Sequence, residues 1–390
     1  MSKLWAPNYT DVVVLDIESY DPELGKLGPG VYHDPSAYVL GCGVYDSKTK
    51  VKKYYPLHHY RDCTEEELSK SRAELKEILG APTSKLLANG GYDLDWLENG
   101  EGLPVNGFIH DVQVAEPLLD SYKFSYALNA LAKDYDVPGK QTVNIEAEAQ
   151  KLDPTHKSYK HAQELLWLMP CKIVGEYCVA DLDATYAVFL KQVEKLKSQE
   201  LLNLYECECN LIRIRLMMRR NGIRIDMKHR ETAIAEVQMS ENDLMSKMFS
   251  AYGLFNINSS REIAPILIQE GIRLPKTATG QYSVTKDILE KNAKTSEFCK
   301  ELKRCRALNK LRTTFLEKSI EEHLCPDGRI HGEFYPLKKD DAGTITGRWS
   351  AANPNLQQIP RNDEELGALV RGVFIPDEGC WYGHTDYSQV

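Results

Sequence analysis

The chain is 390 residues long, enough for two or three domains, and 42% of its residues are hydrophobic and 27% charged. No stretch approaches the ~20 consecutive apolar residues of a membrane span, and the amino terminus resembles neither a signal peptide nor a transit peptide. The ten cysteines include no Cys-x-x-Cys pair, which predicts reduced thiols and a cytoplasmic location. These features exclude a membrane protein, a collagen, a coiled coil and a disulfide-rich secreted domain.

Charge is distributed unevenly along the chain. Residues 1–200 carry 21 Lys and Arg against 31 Asp and Glu, whereas residues 201–390 carry 27 against 26. This asymmetry predicts two parts with different functions. Basic residues of the second part cluster at 211–230 and 291–312, and the second cluster includes Lys310 and Arg312. Such runs are usually solvated helix faces, and the alternative is contact with the phosphates of a nucleic acid.

The first half of the chain predicts a mixed α/β domain. A β-branched run at 11–17 ends in acidic residues and predicts a buried strand. The segment Thr64-Glu-Glu-Glu67 has the pattern of a helix-capping box. Further strands are expected at 37–45, 51–55 and 85–88, and helices at 64–79, 112–119, 126–135 and 161–196. The order of these elements predicts a mixed sheet flanked by helices, in a domain that ends near residue 195.

The second half predicts a mostly helical region followed by short strands. Helices are expected at 196–250 and 284–323, and the Gly-, Pro- and Thr-containing stretch 255–281 is expected to be a loop between them. Short strands are expected at 328–335, 370–375 and 381–390.

Four acidic residues and one tyrosine of the first half form a candidate active site. Asp16 and Glu18 lie two apart at a strand end and therefore point to the same side. Asp93 follows a predicted strand and an Asn-Gly-Gly turn, and Tyr177 and Asp181 lie one helical turn apart. Each feature alone is weak, because solvated acids, an ordinary turn and a buried helical tyrosine are common. Together they suit two divalent cations ~3.5–4 Å apart that hydrolyse a phosphodiester.

Asp16-Ile-Glu18, Asn89-Gly-Gly-Tyr-Asp93 and Tyr177-x-x-x-Asp181 resemble, in order and separation, the three motifs of the DEDDy 3′–5′ exonucleases. The resemblance implies a ribonuclease-H-like α/β fold in which the four acids bind two Mg²⁺, with Mn²⁺ as a possible substitute. It also implies that Tyr177 positions the attacking water, so that all five residues are catalytic. The neighbouring Asp95 and Asp183 are interpreted as solvated or structural.

A second motif lies near the end of the chain. Thr346-Gly-Arg-Trp-Ser-Ala-Ala-Asn-Pro-Asn-Leu-Gln-Gln-Ile-Pro-Arg361 is too polar for a core and predicts a structured loop, whose Asn355 and Gln358 could contact a nucleic-acid backbone or minor groove. The segment resembles the Thr-Gly-Arg and Pro-Asn-Leu-Gln-x-Ile-Pro signature of family A DNA polymerases. This resemblance implies that Arg348 contacts the primer–template.

Weaker matches to the same family run in order along the second half. They imply a thumb that contains Lys310 and Arg312, an arginine near the incoming nucleotide at Arg371, and a metal-binding palm aspartate at Asp386 in motif A. The implied domains are an exonuclease at 1–195, a mostly helical thumb at 196–320 and a partial α+β palm at 321–390. The absence of a 5′-nuclease region before Asp16 resembles phage polymerases, which would place the protein in a host cytoplasm.

The leading hypothesis is therefore the amino-terminal part of a replicative family A DNA polymerase with a proofreading exonuclease. Its expected partners are a DNA primer–template and a single-stranded 3′ end, with dNTP binding only in a completed polymerase, and no membrane. The chain stops inside motif A, so we expect no polymerisation by this chain alone. A second polypeptide carrying the fingers and the rest of the palm is one explanation for this break. The alternatives are a stand-alone 3′–5′ exonuclease and a non-catalytic primer–template-binding subunit.

Overall fold

The computed structural model describes residues 5–138, 145–155, 158–338, 343–359, 364–385 and 388. These residues belong to two compact units. Unit 1 comprises Met1–Gly222 and His331–Gln357, and unit 2 comprises Ile223–Ile330 and Gln358–Val390. The division of the chain by role at residues 195 and 320 stays a prediction.

In chain order, the strands are β1 Val12–Tyr20, β2 Tyr38–Asp46, β3 Lys52–Pro56, β4 Ser84–Leu87, β5 Ile109–Asp111, β6 Ile223–Ile225, β7 Arg329–Ile330, β8 Glu333–Tyr335, β9 Ser350–Ala352 and β10 Phe374–Ile375. The α-helices are α1 Leu24–Leu27, α2 Glu65–Gly80, α3 Gly90–Asp95, α4 Val112–Leu119, α5 Leu128–Asp134, α6 Ile145–Leu152, α7 Tyr159–Glu164, α8 Cys171–Ser198, α9 Leu202–Asn221, α10 Met227–Tyr252, α11 Ser260–Gln269, α12 Lys286–Asn292, α13 Glu297–Lys310, α14 Ser319–His323 and α15 Glu364–Arg371. Short 3-10 segments lie at Gly30–Tyr32, Leu166–Leu168 and Leu356–Gln358, and π-helical segments at Trp96–Gly100 and Leu311–Lys318.

A five-stranded mixed sheet forms the centre of unit 1. Its strand order is β3-β2-β1-β4-β5. Strands β1, β2 and β3 pair antiparallel, whereas β4 pairs parallel with both β1 and β5. The carboxyl ends of β1, β4 and β5 therefore meet at one edge of the sheet. The expected mixed sheet with flanking helices is confirmed.

Alternation along β1 sends its side chains into two separate cores. Val13 and Leu15 pack in a core with α2, and Val12 and Val14 pack in a second core with α4 and α8. The even-numbered row continues into the acidic end of the strand, because successive strand side chains point to opposite faces. Both acids of β1 thus lie on the face covered by α8.

Local sequence explains where the long helices of unit 1 begin. The capping box predicted at Thr64 is present: its hydroxyl accepts from the Glu67 backbone N–H, and the Glu67 carboxylate accepts from the Thr64 backbone N–H. The helix predicted at 161–196 is interrupted, because Pro170 precedes a new helix that begins at Cys171. Because α8 begins at Cys171, Tyr177 and Asp181 lie in its first half.

Unit 2 contains most of the predicted helical region, with three differences from the sequence expectations. Strand β6 interrupts the helix predicted at 196–250, and the loop predicted at 255–281 contains helix α11. Of the strand predicted at 370–375, only Phe374–Ile375 is extended, because α15 continues to Arg371. Strands β10, β6 and β7 form a small antiparallel sheet. Residues 381–385 contain no strand, and part of the expected strand at 381–390 lies outside the described residues.

No helix within the described ranges is both long enough and apolar enough to cross a bilayer.

A buried histidine of β5 is expected to make unit 1 acid-sensitive. His110 lies among Tyr9, Phe108, Phe189 and Tyr205, and its Nε2 lies 2.9 Å from the carbonyl oxygen of Asn8. Burial lowers the pKa of His110 to about 4. Between the ordinary pKa of about 6.5 and this value, the unfolded chain binds a proton that the folded chain does not.

The free energy of unfolding is therefore expected to fall as the pH drops from about 6.5 to about 4, by up to about 3 kcal/mol from this group. Denaturant titrations of the wild type and His110→Phe across this pH range would measure the effect. The variant is expected to show a smaller slope, and an equal slope would contradict the assignment.

Candidate functional site

The first two acids of the candidate site lie at the end of β1. Asp16 pairs with Gly43 of β2, and Glu18 pairs with Gly41. A Cβ atom at Gly43 would lie 2.8 Å from the Cys178 sulfur, closer than such atoms pack. The missing side chain on β2 therefore lets α8 approach the sheet directly beside Asp16.

Asp93 reaches the same place from the next parallel strand. Asn89, after β4, adopts a left-handed φ of 66°, and the chain then turns into α3, which carries Asp93. Asp93 is 5% exposed, and its Oδ1 accepts a 3.1 Å hydrogen bond from the backbone N–H of Ile17, the residue between the two acids of β1. Burial raises the pKa of Asp93 to about 7. Asp93 thus lies against the backbone of β1 between Asp16 and Glu18.

Helix α8 supplies the remaining predicted residues. Tyr177 and Asp181 lie one turn apart on α8, and both are buried. The Tyr177 hydroxyl accepts a 2.7 Å hydrogen bond from Nε2 of Gln163, which fixes the position of the phenol oxygen.

Cys178 belongs to the same cluster, although sequence reasoning did not select it. Its sulfur lies 3.4 Å from the carbonyl oxygen of Asp16 and 3.8 Å from Oδ2 of that residue. Ligand-capable atoms of Asp16, Glu18 and Cys178 all lie within 4.8 Å of one another. Burial, and then the charges of Asp16 and Glu18, raise the pKa of the Cys178 thiol. The only sequence signal for this residue was its position directly after Tyr177.

The donor set suits a hard divalent cation. Carboxylate oxygens are the ligands that Mg²⁺ and Mn²⁺ favour, whereas the protonated thiol of Cys178 is not such a ligand. Asp93 is buried, so a charge on its carboxyl is costly without a positive partner. The residues present therefore fit a divalent cation held by carboxylates.

A buried ion-pair network holds the helix that carries Asp93. Asp95 is fully buried and accepts from Arg219 at 2.5 Å and from Arg220 at 2.7 Å. Arg219 also donates to the backbone carbonyl of Gly91 at 2.8 Å and contacts Glu333 of β8 at 2.5 Å. Asp95 is thus structural, as expected. Four arginines of the basic run at 211–230 are held in ion pairs within the chain: Arg213, Arg219, Arg220 and Arg230.

The polymerase-like segment divides between the two units. Arg348 and Asn355 are exposed residues of unit 1, and Gln358 and Arg371 are exposed residues of unit 2. The Nε of Arg371 donates to the carbonyl of Gly367 at 3.0 Å. Asp386 lies outside the described residues.

The two basic candidates on the helices of unit 2 have different surroundings. Lys310 is exposed and lines a cavity of about 480 Å³ together with Lys286, Lys303, Arg306 and Gln358. Arg312 instead pairs with Glu241 at 3.0 Å and with Glu317 at 2.7 Å. The structure therefore brings Lys310 and Gln358 together and directs the Arg312 guanidinium to carboxylates.

Comparison with known proteins tests the resemblance of this second half. The family model for DNA polymerase family A matches residues 227–390. This match lies in the second half of the chain. The chain as a whole is homologous to phage and bacterial DNA polymerases, so the resemblance to family A DNA polymerases is confirmed.

Relatives of this polymerase family align with almost the entire chain. A DNA-directed DNA polymerase of Pseudomonas phage M6 is 31% identical over 395 residues, which cover 97% of this chain and 57% of the phage protein. DNA polymerase I of Synechocystis sp. is 28% identical over 382 residues, which cover 95% of this chain and 36% of that protein. The chain therefore spans little more than half of the first relative and about a third of the second.

A solved structure has the same fold. The POL domain of Pol1 from M. smegmatis, in a complex with DNA primer-template and dNTP, superimposes with a TM-score of 0.66 at 21% sequence identity. The match covers 94% of this chain and 55% of the solved chain. At this identity the similarity concerns the fold.

Proposed function

We propose that this chain is part of a DNA-directed DNA polymerase that acts in DNA replication. We also propose that unit 1 is a proofreading 3′–5′ exonuclease with a ribonuclease-H-like fold. The observation that carries the proposal is the hydrogen bond from the Ile17 N–H to Asp93, which joins the acidic end of β1 to α3. The nearby Tyr177 and Asp181 complete the five residues expected from the sequence.

Asp16, Glu18, Asp93 and Asp181 would hold the divalent cations, Mg²⁺ by preference and Mn²⁺ as a substitute. When bound, a cation pair supplies an activated water and stabilises the leaving 3′ oxygen. Tyr177, fixed by Gln163, would orient the attacking water through its hydroxyl. The substrate would be a frayed single-stranded 3′ end, and the product a nucleoside monophosphate.

The polymerase function involves the second half of the chain. Lys310 and the neighbouring cations of its cavity would contact the phosphates of a primer–template, and Arg348, Asn355, Gln358 and Arg371 are further candidates for DNA contact. Asp386 would bind metal in a completed palm, where a dNTP would bind. The comparisons give no support to a second polypeptide, which stays a prediction.

A gel assay tests the exonuclease directly. The full chain with Mg²⁺ is expected to shorten a 5′-labelled, mismatched primer from its 3′ end. Replacing both Asp16 and Glu18 with Ala is expected to lower this rate at least a thousandfold while leaving duplex binding intact. Equal shortening by the double variant would contradict the assignment. Binding without shortening by the wild type would favour the non-catalytic primer–template-binding subunit.

Lys310 and Arg312 are expected to respond differently to substitution by Ala. Lys310→Ala should weaken primer–template binding across sequences and reduce the slope of log K against log salt by about 1, because one phosphate contact is lost. Arg312→Ala should mainly lower stability, by about 1–3 kcal/mol, because Glu241 is buried and loses a charged donor.

Fluorescence anisotropy across a salt series and denaturant titration would separate these effects. Lys300→Ala is the matched control, because Lys300 lies on the same helix as Lys310, pairs with Glu297 and does not line the cavity. Lys300→Ala is expected to change neither the slope of log K against log salt nor the free energy of unfolding. A reduced salt slope in Lys300→Ala would contradict a specific role for Lys310.

A further inference from the structure

One arginine of α9 differs from its neighbours. Arg213 and Arg220 pair with Glu98, and Arg219 pairs with Asp95 and Glu333. Among the described residues, Arg215 forms neither an ion pair nor a hydrogen bond, although it lies in the middle of the same helix. A partly buried guanidinium to which no carboxylate is hydrogen-bonded is costly, so Arg215 points to an anionic ligand at this place.

The nearest acids are already engaged elsewhere. Asp111 accepts hydrogen bonds from the backbone N–H groups of Asn89, Gly90 and Gln113 at 2.7–3.1 Å. The carboxylate of Glu333 contacts Arg219 and the hydroxyl of Tyr335. Burial, and then the charge of Arg219, lower the pKa of Arg215, and the charges of Asp111 and Glu333 offset this only in part. Neither acid forms an ion pair with Arg215, so its guanidinium is left to bind another anion.

Arg215 faces a cavity of about 330 Å³ within unit 1. The lining joins two segments: the turn Asn89–Gly91, which leads into Asp93, and the hairpin of the antiparallel strands β8 and β9, which contains Tyr335 and is followed by Asn353. A Cβ atom at Gly91 would lie 2.1 Å from Nη2 of Arg215. The glycine thus allows the guanidinium to pack against the turn and fixes its position at the wall of the cavity.

We propose that this cavity binds a phosphate group through Arg215. The planar fork of a guanidinium matches two phosphate oxygens, and the cavity has room for such a group. Its place between the turn before Asp93 and the hairpin with the polymerase signature points to a phosphate of the DNA strand that approaches the acidic site. The assignment of this phosphate to a DNA strand rests on the proposed exonuclease function. The inference that Arg215 binds an anion does not rest on it. A free nucleoside monophosphate carries the same phosphate group and is the alternative ligand.

Binding by the full chain in EDTA tests the proposal without cleavage. Labelled single-stranded DNA, dTMP and inorganic phosphate would be titrated against the wild type, Arg215→Met, Arg215→Lys and Arg213→Met. Arg213→Met is the matched control, because Arg213 is paired with Glu98 and does not line this cavity.

Arg215→Met is expected to weaken binding of single-stranded DNA about 10- to 100-fold, the range for a lost charge-assisted hydrogen bond. It should also reduce the slope of log K against log salt by about 0.7, the value for one phosphate of a single strand. Arg215→Lys should keep the slope while losing part of the affinity, and Arg213→Met should keep both.

The outcomes separate the sources of the phosphate. Weakened binding of the single strand identifies a strand phosphate, and weakened binding of dTMP or phosphate alone identifies a free phosphate. Unchanged binding of all three probes by Arg215→Met would overturn the proposal. Phosphate should also raise the Tm of the wild type and not that of Arg215→Met, which keeps the test valid if the variant differs in stability. Absence of trimming by the wild type would count against the exonuclease and leave this binding result unaffected.

Discussion

Replacing Asp93 with asparagine is expected to lower the rate of 3′ trimming by about a thousandfold or more without lowering the stability of the metal-free protein. Removing a residue that only hydrogen-bonds to a metal ligand lowers metal affinity or activity by about 10- to 100-fold. Removing the charge of a ligand itself, as Asp93→Asn would, should lower activity further. Asparagine keeps an oxygen that can accept from the Ile17 N–H. It removes a carboxyl whose pKa burial raises to about 7, and hence a costly buried charge.

Two measurements on the same variant check this expectation. Single-turnover trimming with Mg²⁺ gives the rate, and thermal unfolding with and without Mg²⁺ gives the stability and the metal linkage. Mg²⁺ should raise the Tm of the wild type more than that of Asp93→Asn. The matched control is Asp183→Asn, because Asp183 lies on α8 near Asp181, but its side chain is 43% exposed and pairs with Lys52. A large loss of trimming in Asp183→Asn, or normal trimming in Asp93→Asn, would contradict the assignment.

The acidic part of the candidate site was predictable because it depends on strand geometry. The two-residue spacing of Asp16 and Glu18 fixes their common side. Asp93 follows a strand parallel to β1, and the carboxyl ends of neighbouring parallel strands meet at one edge. These relations follow from local sequence and sheet topology, so they did not require knowledge of how helices pack.

Contacts that depend on helix packing were not predictable in the same way. The basic run at 211–230 was expected to face solvent or phosphate, yet Arg219 and Arg220 pair with Asp95, which is remote in sequence. Charge counts cannot show which side of a helix faces a core. The place of Cys178 depends similarly on Gly43, because only the missing side chain on β2 admits the sulfur beside Asp16.

One missed element did have a local signal. Helix α11 lies in the stretch expected to be a loop, where Pro265 and the flanking glycines argued against a helix. The Ser259 side chain accepts from the backbone N–H of Glu262, the three-residue spacing of a helix start. This cap and the apolar residues that follow outweigh the proline, because the helix buries Ile263, Leu267 and their neighbours in a core of unit 2.

The second large effect is expected from Arg219. Replacing Arg219 with Met should lower the free energy of unfolding of unit 1 by about 3–5 kcal/mol, the cost of breaking a buried ion pair by removing one partner. The side chain of Asp95 is fully buried and would lose one of its two arginines, while the Gly91 carbonyl and the Glu333 carboxylate would each lose a donor. Because Arg219 and Arg220 hold the backbone of α3 on both sides of Asp93, trimming should also slow.

Denaturant titration and trimming rates of three variants would test this role. Arg219→Lys should recover only part of the stability, because an ammonium lacks the planar fork that reaches Asp95, Glu333 and the Gly91 carbonyl together. The control is Lys52→Met, which breaks an ion pair with Asp183 in which both side chains are more than a third exposed. That change should stay below about 1 kcal/mol. If Arg219→Met costs no more than Lys52→Met, the network does not hold α3, and the position of Asp93 must be set by the sheet edge and its bond to Ile17 alone.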